Sequence, residues 1–212
     1  MRKNDSALKV AEFLLQIKAV VLKPNDPFTW ASGWKSPIYC DNRKTLSYPN
    51  IRTYIRQAFC DGIIEKYGMP DVIAGVATGG IALGALVAQE LGVSFCYVRS
   101  SAKAHGLTNM IEGVVEKGQN VVIIEDLVST GKSSLNAYDA LIEAGLNIKG
   151  MAAIFTYGFE IAEENFKNAN CNLFTLTNYS TLIEKAVENN YISESDVKSL
   201  NEWRENPSEW GK

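Results

Sequence analysis

From Asp71 onward, short apolar runs alternate with longer stretches in which apolar residues recur every three or four positions. The alternation predicts strands at 72–76, 94–99, 121–125, 149–155 and 172–176, with helices at about 80–91, 132–144, 160–168 and 179–189. Strands joined through helices imply a doubly wound, mainly parallel α/β sheet flanked by helices on both faces. A last helix at about 193–204 leads into a short tail. Before Asp71 the pattern is different. Leu8, Ala11, Leu14, Leu15 and Lys18 keep helical spacing, so an amphipathic helix is expected over roughly 4–18. Phe28 to Asp41 read as two strands around a turn near Gly33. Pro49 opens a helix that ends near Gly68, proline being suited to a first turn. Residues 1–212 are expected to form one domain, with a small hood built mainly from residues 1–45.

A chain of 212 residues suits one domain with a full hydrophobic core. The net charge of −3 and a pI near 5.3 argue against bulk nucleic-acid binding. Charges at Glu12 and Lys18 interrupt the first apolar stretch, so neither a signal segment nor a membrane span is expected. Cys40, Cys60, Cys96 and Cys171 are scattered, with no Cys-x-x-Cys pair. That usage predicts reduced thiols, a cytoplasmic location and no protein metal site.

The densest chemistry lies in Val121-Val-Ile-Ile-Glu-Asp-Leu-Val-Ser-Thr-Gly-Lys-Ser-Ser134. Four β-branched residues read as a buried strand, ended by Glu125 and Asp126. A hydroxyl-rich loop around Gly131 then opens a helix, and Ser129, Thr130, Ser133 and Ser134 can add hydroxyl donors to a phosphate there. The carboxylates suit a diol or a metal. The helix start offers unpaired N–H groups and a positive dipole end, which suits a phosphate. A vicinal diol held beside a phosphate describes a ribose 5-phosphate. The plainer alternative makes Asp126 a helix cap and Glu125 a solvated strand end. A P-loop is excluded, because it needs a glycine five positions before Gly131, where Asp126 stands.

This run resembles the phosphoribosyl pyrophosphate (PRPP) signature of type I phosphoribosyltransferases. The resemblance implies that Glu125 and Asp126 bind the ribose hydroxyls, while Leu127, Val128, Ser129, Thr130, Gly131, Lys132 and Ser133 form the 5-phosphate loop. The signature also occurs in regulators that only sense PRPP. Two further segments narrow the likeness. Arg99-Ser-Ser-Ala-Lys103-Ala-His105-Gly106 is similar to the flexible loop of orotate phosphoribosyltransferases, which implies that Arg99, Lys103 and His105 bind PRPP across a homodimer interface. Phe28 to Arg43 looks like that family's base-recognition hood, with the chain around Tyr39 and Cys40 against the orotate ring. Thr78-Gly79-Gly80 corresponds to a loop that meets pyrophosphate through backbone amides.

The sequence departs from better-known members at several points. Ser100 replaces a second loop lysine, Ala31 a hood lysine, and Phe155 to Gly158 lack an arginine that some members direct at the orotate carboxylate. Ser129 is the orotate contact that its place in the loop suggests.

The resemblance implies transfer of ribose 5-phosphate from PRPP to N1 of orotate. Lys103 and Asp126 are the expected catalytic residues, and Mg2+ arrives bound to PRPP and water. The three polar loops at 77–80, 99–110 and 126–132 each follow a predicted strand, so they should converge beyond the carboxyl ends of the sheet. A purine phosphoribosyltransferase is opposed by the hood sequence and the Lys103-to-Gly106 loop. A PRPP-sensing regulator is opposed by the absence of a basic recognition helix.

Overall fold

The computed structural model describes residues 3–29, 33–100 and 110–211. It opens with helix α1 (Lys3–Gln16), which stops before Lys18, whose φ of 54° no helix sustains. Strands β1 (Val20–Leu22), β2 (Phe28–Thr29), β3 (Lys35–Ser36) and β4 (Ile38–Cys40) follow, then a 3-10 turn at Asn42–Ser47 and helix α2 (Pro49–Tyr67). The chain continues as β5 (Val72–Val76), α3 (Gly79–Leu91), β6 (Ser94–Val98), β7 (Ile111–Glu112), β8 (Asn120–Val128) and α4 (Lys132–Glu143). It ends with β9 (Asn147–Thr156), α5 (Glu160–Asn168), β10 (Leu173–Asn178), α6 (Tyr179–Glu188) and α7 (Glu194–Glu205). Among the described residues no helix is long and apolar enough to cross a membrane.

Six strands form one sheet in the order β10-β9-β8-β5-β6-β7, parallel throughout except where β7 pairs antiparallel with β6. The strand period of two explains its apolar runs. Val122 and Ile124 point into a core with Leu14, Phe59, Ile63 and Leu83, whereas Val121 and Ile123 point into a second with Ala137, Leu141 and Phe166. Helices α1, α2, α3, α6 and α7 thus cover one face, and α4 and α5 the other. With both faces covered, β5 is buried along its whole length. The order reverses at β5, whose neighbours are β8 and β6. The crevice at such a reversal is where open α/β sheets bind ligands.

Two expectations need correction. Phe28 to Asp41 is more than one hairpin. Strands β2 and β3 do pair antiparallel across Gly33, but Ile38–Cys40 turns away and pairs with β1, Val21 facing Tyr39. The acidic pair, moreover, does not end its strand. Strand β8 runs on to Val128 because β9 is long enough to pair with it, Glu125 facing Ala153 and Val128 facing Thr156. Its ladder with β5 stops earlier, at Ile124 facing Gly75. The last turn of β8 therefore has a neighbour on one side and the crevice on the other.

Candidate active site

Continuing β8 through the acidic pair sends its two carboxylates to opposite faces. Asp126 points toward the start of α3, where a Cβ on Gly79 would run into its carboxylate and a Cβ on Gly80 into the Ile124 carbonyl. Glycines at both positions let α3 begin against the end of β8. Glu125 points toward α4 and is 5% exposed. One of its oxygens accepts from the Asp126 N–H at 3.0 Å, the other from the buried Ser134 hydroxyl at 3.0 Å. Burial, and then the Asp126 carboxylate beside it, push Glu125 up to about 8 from an ordinary 4.5.

The loop between β8 and α4 is held by α5. Gly131 takes φ 81°, and its missing Cβ leaves room for the Phe166 ring of α5. Asn165 donates from its Nδ2 to the Thr130 carbonyl at 3.0 Å. Helix α4 then starts at Lys132 with Gly131 at its N-cap and no side-chain cap hydrogen bond. Ala77, Thr78 and Gly79, the loop after β5, close the other side of a polar cleft of about 450 Å3. The peptide between Ala77 and Thr78 is cis. Hood residues Cys40, Asp41 and Arg43 complete the wall. The Arg43 Nε donates to Asp41 at 2.7 Å, which holds Asp41 below the usual carboxylate range.

A second cavity of about 480 Å3 adjoins this cleft and shares Cys40, Leu127 and Ser129 with it. Its other walls are Phe28, Thr29, Tyr39 and Tyr157. Phe28 and Tyr39 meet at 5.6 Å between ring centres, and Tyr157 stacks on Phe159 at 5.3 Å. The pair of cavities offers a polar, hydroxyl-rich half and an aromatic half sized for a planar ring. Ser129 lines both. A larger hollow of about 650 Å3 lies between α1, α2 and β10, near Tyr54, Lys66 and Phe174. It is mainly apolar, and none of the predicted site residues lines it.

The family model for the phosphoribosyl transferase domain matches residues 46–176. An orotate phosphoribosyltransferase of Phocaeicola vulgatus is 56% identical over 200 residues, covering 94% of each chain. The chain belongs to the orotate phosphoribosyltransferase family. Among solved structures, orotate phosphoribosyltransferase from Aeropyrum pernix matches with a TM-score of 0.75 and 27% identity, covering 83% of this chain and 97% of that one. UMP synthase from Leishmania donovani matches with a TM-score of 0.76 and 26% identity, covering 93% of this chain and 43% of that longer one.

Of the three loops expected to meet in this orotate phosphoribosyltransferase-family chain, the structure brings together the first and third. Asp126, Glu125 and the loop residues Leu127, Ser129, Thr130, Gly131, Lys132 and Ser133 all line the cleft, whereas Val128 is buried in the second core. Of the second loop, Lys103 and His105 lie outside the described residues. Its ends are described. Arg99 donates its N–H to the Met110 carbonyl at 2.9 Å, and its guanidinium lies 3.5 Å from Glu112. Strands β6 and β7 thus form an antiparallel stem beneath the loop.

Sequence reasoning missed one residue that holds this site and gave another a different partner. Asn42, 1% exposed, donates from Nδ2 to the Asp126 carbonyl at 2.7 Å and accepts from the Cys40 thiol at 3.3 Å. Ser134 anchors Glu125. Asn42 stands in the sequence only as one residue of the Phe28-to-Arg43 hood, and Ser134 as one more hydroxyl expected to face a phosphate, whereas its hydroxyl goes to Glu125. Burial pushes the Cys40 thiol far up, with the charges of Asp126 and Asp41 adding to it, so the thiol stays protonated as a donor to Asn42.

Proposed function

We propose that this chain transfers ribose 5-phosphate from PRPP to N1 of orotate, giving orotidine 5-phosphate and pyrophosphate. One observation carries the reading: a polar cleft at the end of β8 opens through Cys40, Leu127 and Ser129 onto an aromatic cavity. A ribose 5-phosphate in the cleft would set its C1 toward a ring in the cavity. The amides of α4 and the hydroxyls of Ser129, Thr130 and Ser133 hold the 5-phosphate. The Asp126 carboxylate takes the ribose hydroxyls and faces the positive charge that grows on the sugar as the bond to pyrophosphate lengthens. Thr78 and Gly79 offer backbone N–H groups to the leaving pyrophosphate. Orotate brings its own nucleophilic nitrogen, so no protein nucleophile is needed, and the work is orientation and charge stabilisation.

The cleft is lined by hard oxygen donors, from Asp126 to the loop hydroxyls, and this donor set suits Mg2+ carried in on PRPP. When bound, the ion would neutralise charge on the pyrophosphate, with Asp126 and the loop hydroxyls the chain's oxygens nearest to hold it. The reading includes one domain, a homodimer whose Lys103 and His105 close over PRPP in the neighbouring subunit, and a cytoplasmic location in pyrimidine biosynthesis. The dimer and shared lid rest on the likeness of Lys103-Ala104-His105-Gly106 to the family's loop.

The test is product formation from PRPP and Mg2+ with orotate, uracil, hypoxanthine or adenine in turn. Orotate should be consumed and the other three react poorly. Equal or faster turnover of hypoxanthine would overturn the assignment.

A further inference from the structure

Helix α7 and the turn after it lie beyond the residues matched by the family model, yet they reach the base cavity by two routes. The first is aromatic. Trp203 is fully buried, and its ring meets Tyr157 edge-on at 5.6 Å and Phe159 at 5.4 Å. Tyr157 is itself a wall of the base cavity. Helix α7 is held in place for this contact, since the Tyr179 hydroxyl donates to the Leu200 carbonyl at 2.9 Å. The Trp203 indole is thereby clamped between the start of α6 and the end of β9, with Tyr179 at 5.7 Å on its other side.

The second route runs through the tail. Trp210 folds back on α7, its N–H donating to the Asn206 carbonyl at 3.2 Å and its indole Nε1 to the Ser199 hydroxyl at 3.3 Å. This brings Gly211 against the stem of Lys35, whose Cβ would lie 3.2 Å from a Cβ at Gly211. Lys35 sits on β3 directly opposite Thr29, and its ammonium donates to the Thr29 hydroxyl at 3.0 Å. Thr29 and Phe28 are walls of the base cavity. At the other end of the helix, Asn25, just before the same hairpin, donates to Asp196 at 3.3 Å. Among the described residues the hairpin of β2 and β3 pairs with no larger sheet. An isolated two-stranded ribbon is marginal alone and needs an outside support. Residues 194–211 supply one.

Resting on the orotate reading above, we infer that the segment Glu194–Gly211 is a positioning element for the base. Trp203 fixes the Tyr157 ring in the cavity wall, and the turn around Trp210 holds the hairpin that carries Phe28, Thr29 and the Lys35 ammonium. The segment acts on the base and not on PRPP, because the PRPP cleft has its own supports in Asn42, Ser134 and Asn165. A planar anionic ring would read both parts of the device, the aromatic wall and the cation held beside it.

The test uses full-length Trp210→Ala, Trp203→Leu and Trp203→Phe proteins. KM for orotate and for PRPP are each measured at saturating co-substrate, with PRPP binding followed separately by calorimetry. Trp210→Ala should raise the orotate KM at least about tenfold while PRPP KM and Kd stay within about twofold. Trp203→Leu should do the same, and Trp203→Phe, which restores an aromatic edge, should recover most of the loss. If Trp203→Leu does not fold, the comparison of Trp210→Ala with Trp203→Phe still decides. Equal changes in both KM values, or no change in either, would overturn the inference. Should the intact protein use another base in place of orotate, the functional reading falls alone, and the same KM ratio is scored on that base.

Discussion

The Asn42 side-chain amide donates to the main-chain carbonyl of Asp126 at 2.7 Å, across 84 positions of sequence. The bond ties the hood to the strand segment that bears the carboxylate proposed to meet the ribose. Asn42 is buried, so losing it leaves the Asp126 carbonyl without this donor and the Cys40 thiol without its acceptor. Asn42→Ala should therefore lower kcat/KM for PRPP by about tenfold, equivalent to about 1.4 kcal/mol, in a protein that still folds. Steady-state kinetics beside a thermal melt would check it, and unchanged kinetics would make the bond purely architectural.

Asp126 itself gives a sharper test. Asp126→Asn keeps the shape between Gly79 and the cleft but removes the charge that the proposed reaction sets against the developing cation. A fall in kcat of about tenfold or more is expected, with little change in melting temperature. Normal turnover in a folded Asp126→Asn protein would reduce this carboxylate to a strand residue.

The lid is tested by mixing defects. If Lys103 serves the neighbouring subunit, Lys103→Ala and Asp126→Ala homodimers should each be nearly inactive. A mixed dimer then holds one site with both defects and one with neither. Activity should reappear on co-expression or joint refolding of the two proteins. With heterodimers demonstrated, a lack of rescue would show that each lid closes over its own subunit.

Glu125 supplies a pH dependence. Its native value is raised to about 8 from 4.5, so the folded chain holds a proton that the unfolded chain releases as pH climbs. Its contribution to stability is complete below about pH 4.5 and is lost progressively up to about pH 8. Glu125→Gln should flatten that part of the profile, measured as urea midpoints between pH 5 and 9 without ligand, roughly the window in which the two charge states exchange. Ser134→Ala removes a donor that favours the charged form, so the folded carboxyl keeps its proton to higher pH and the decline should extend further upward than in wild type. Identical profiles for all three proteins would mean that Glu125 carries the same charge in both states.

The central sheet was readable because its signals are local and repeated. Val121 to Ile124 form an unbroken β-branched run, and the helix after Gly131 has its own spacing. The predicted bounds at 72–76 and 160–168 match the observed elements. The turn from β8 into α4 was equally legible, since hydroxyls and glycine before a helix start need no distant partner to be recognised. What escaped was set by long-range pairing. Strands β1 and β4 have three residues each, and β7 has two, too few to show a period. The end of β8 depended on the length of β9, which the acidic pair does not reveal. Asn42 and Ser134 gain their roles only through burial against Asp126 and Glu125, and a single amide or hydroxyl looks alike whether it faces a partner or water.

Because Asp126 belongs to a hydrogen-bonded ladder shared with β9, its placement is a matter of parity. A slip of one residue in β8 would exchange Asp126 and Glu125 between the two faces, bringing Val121 and Ile123 into the wrong core. The aliphatic interior therefore proofreads which carboxylate faces the cleft: any molecule that has packed its core correctly has already chosen Asp126 for the position proposed to meet the sugar. Heating should make this half of the site fail together with the sheet as a whole, and amide exchange around Ile124 should track global unfolding rather than a local breathing motion.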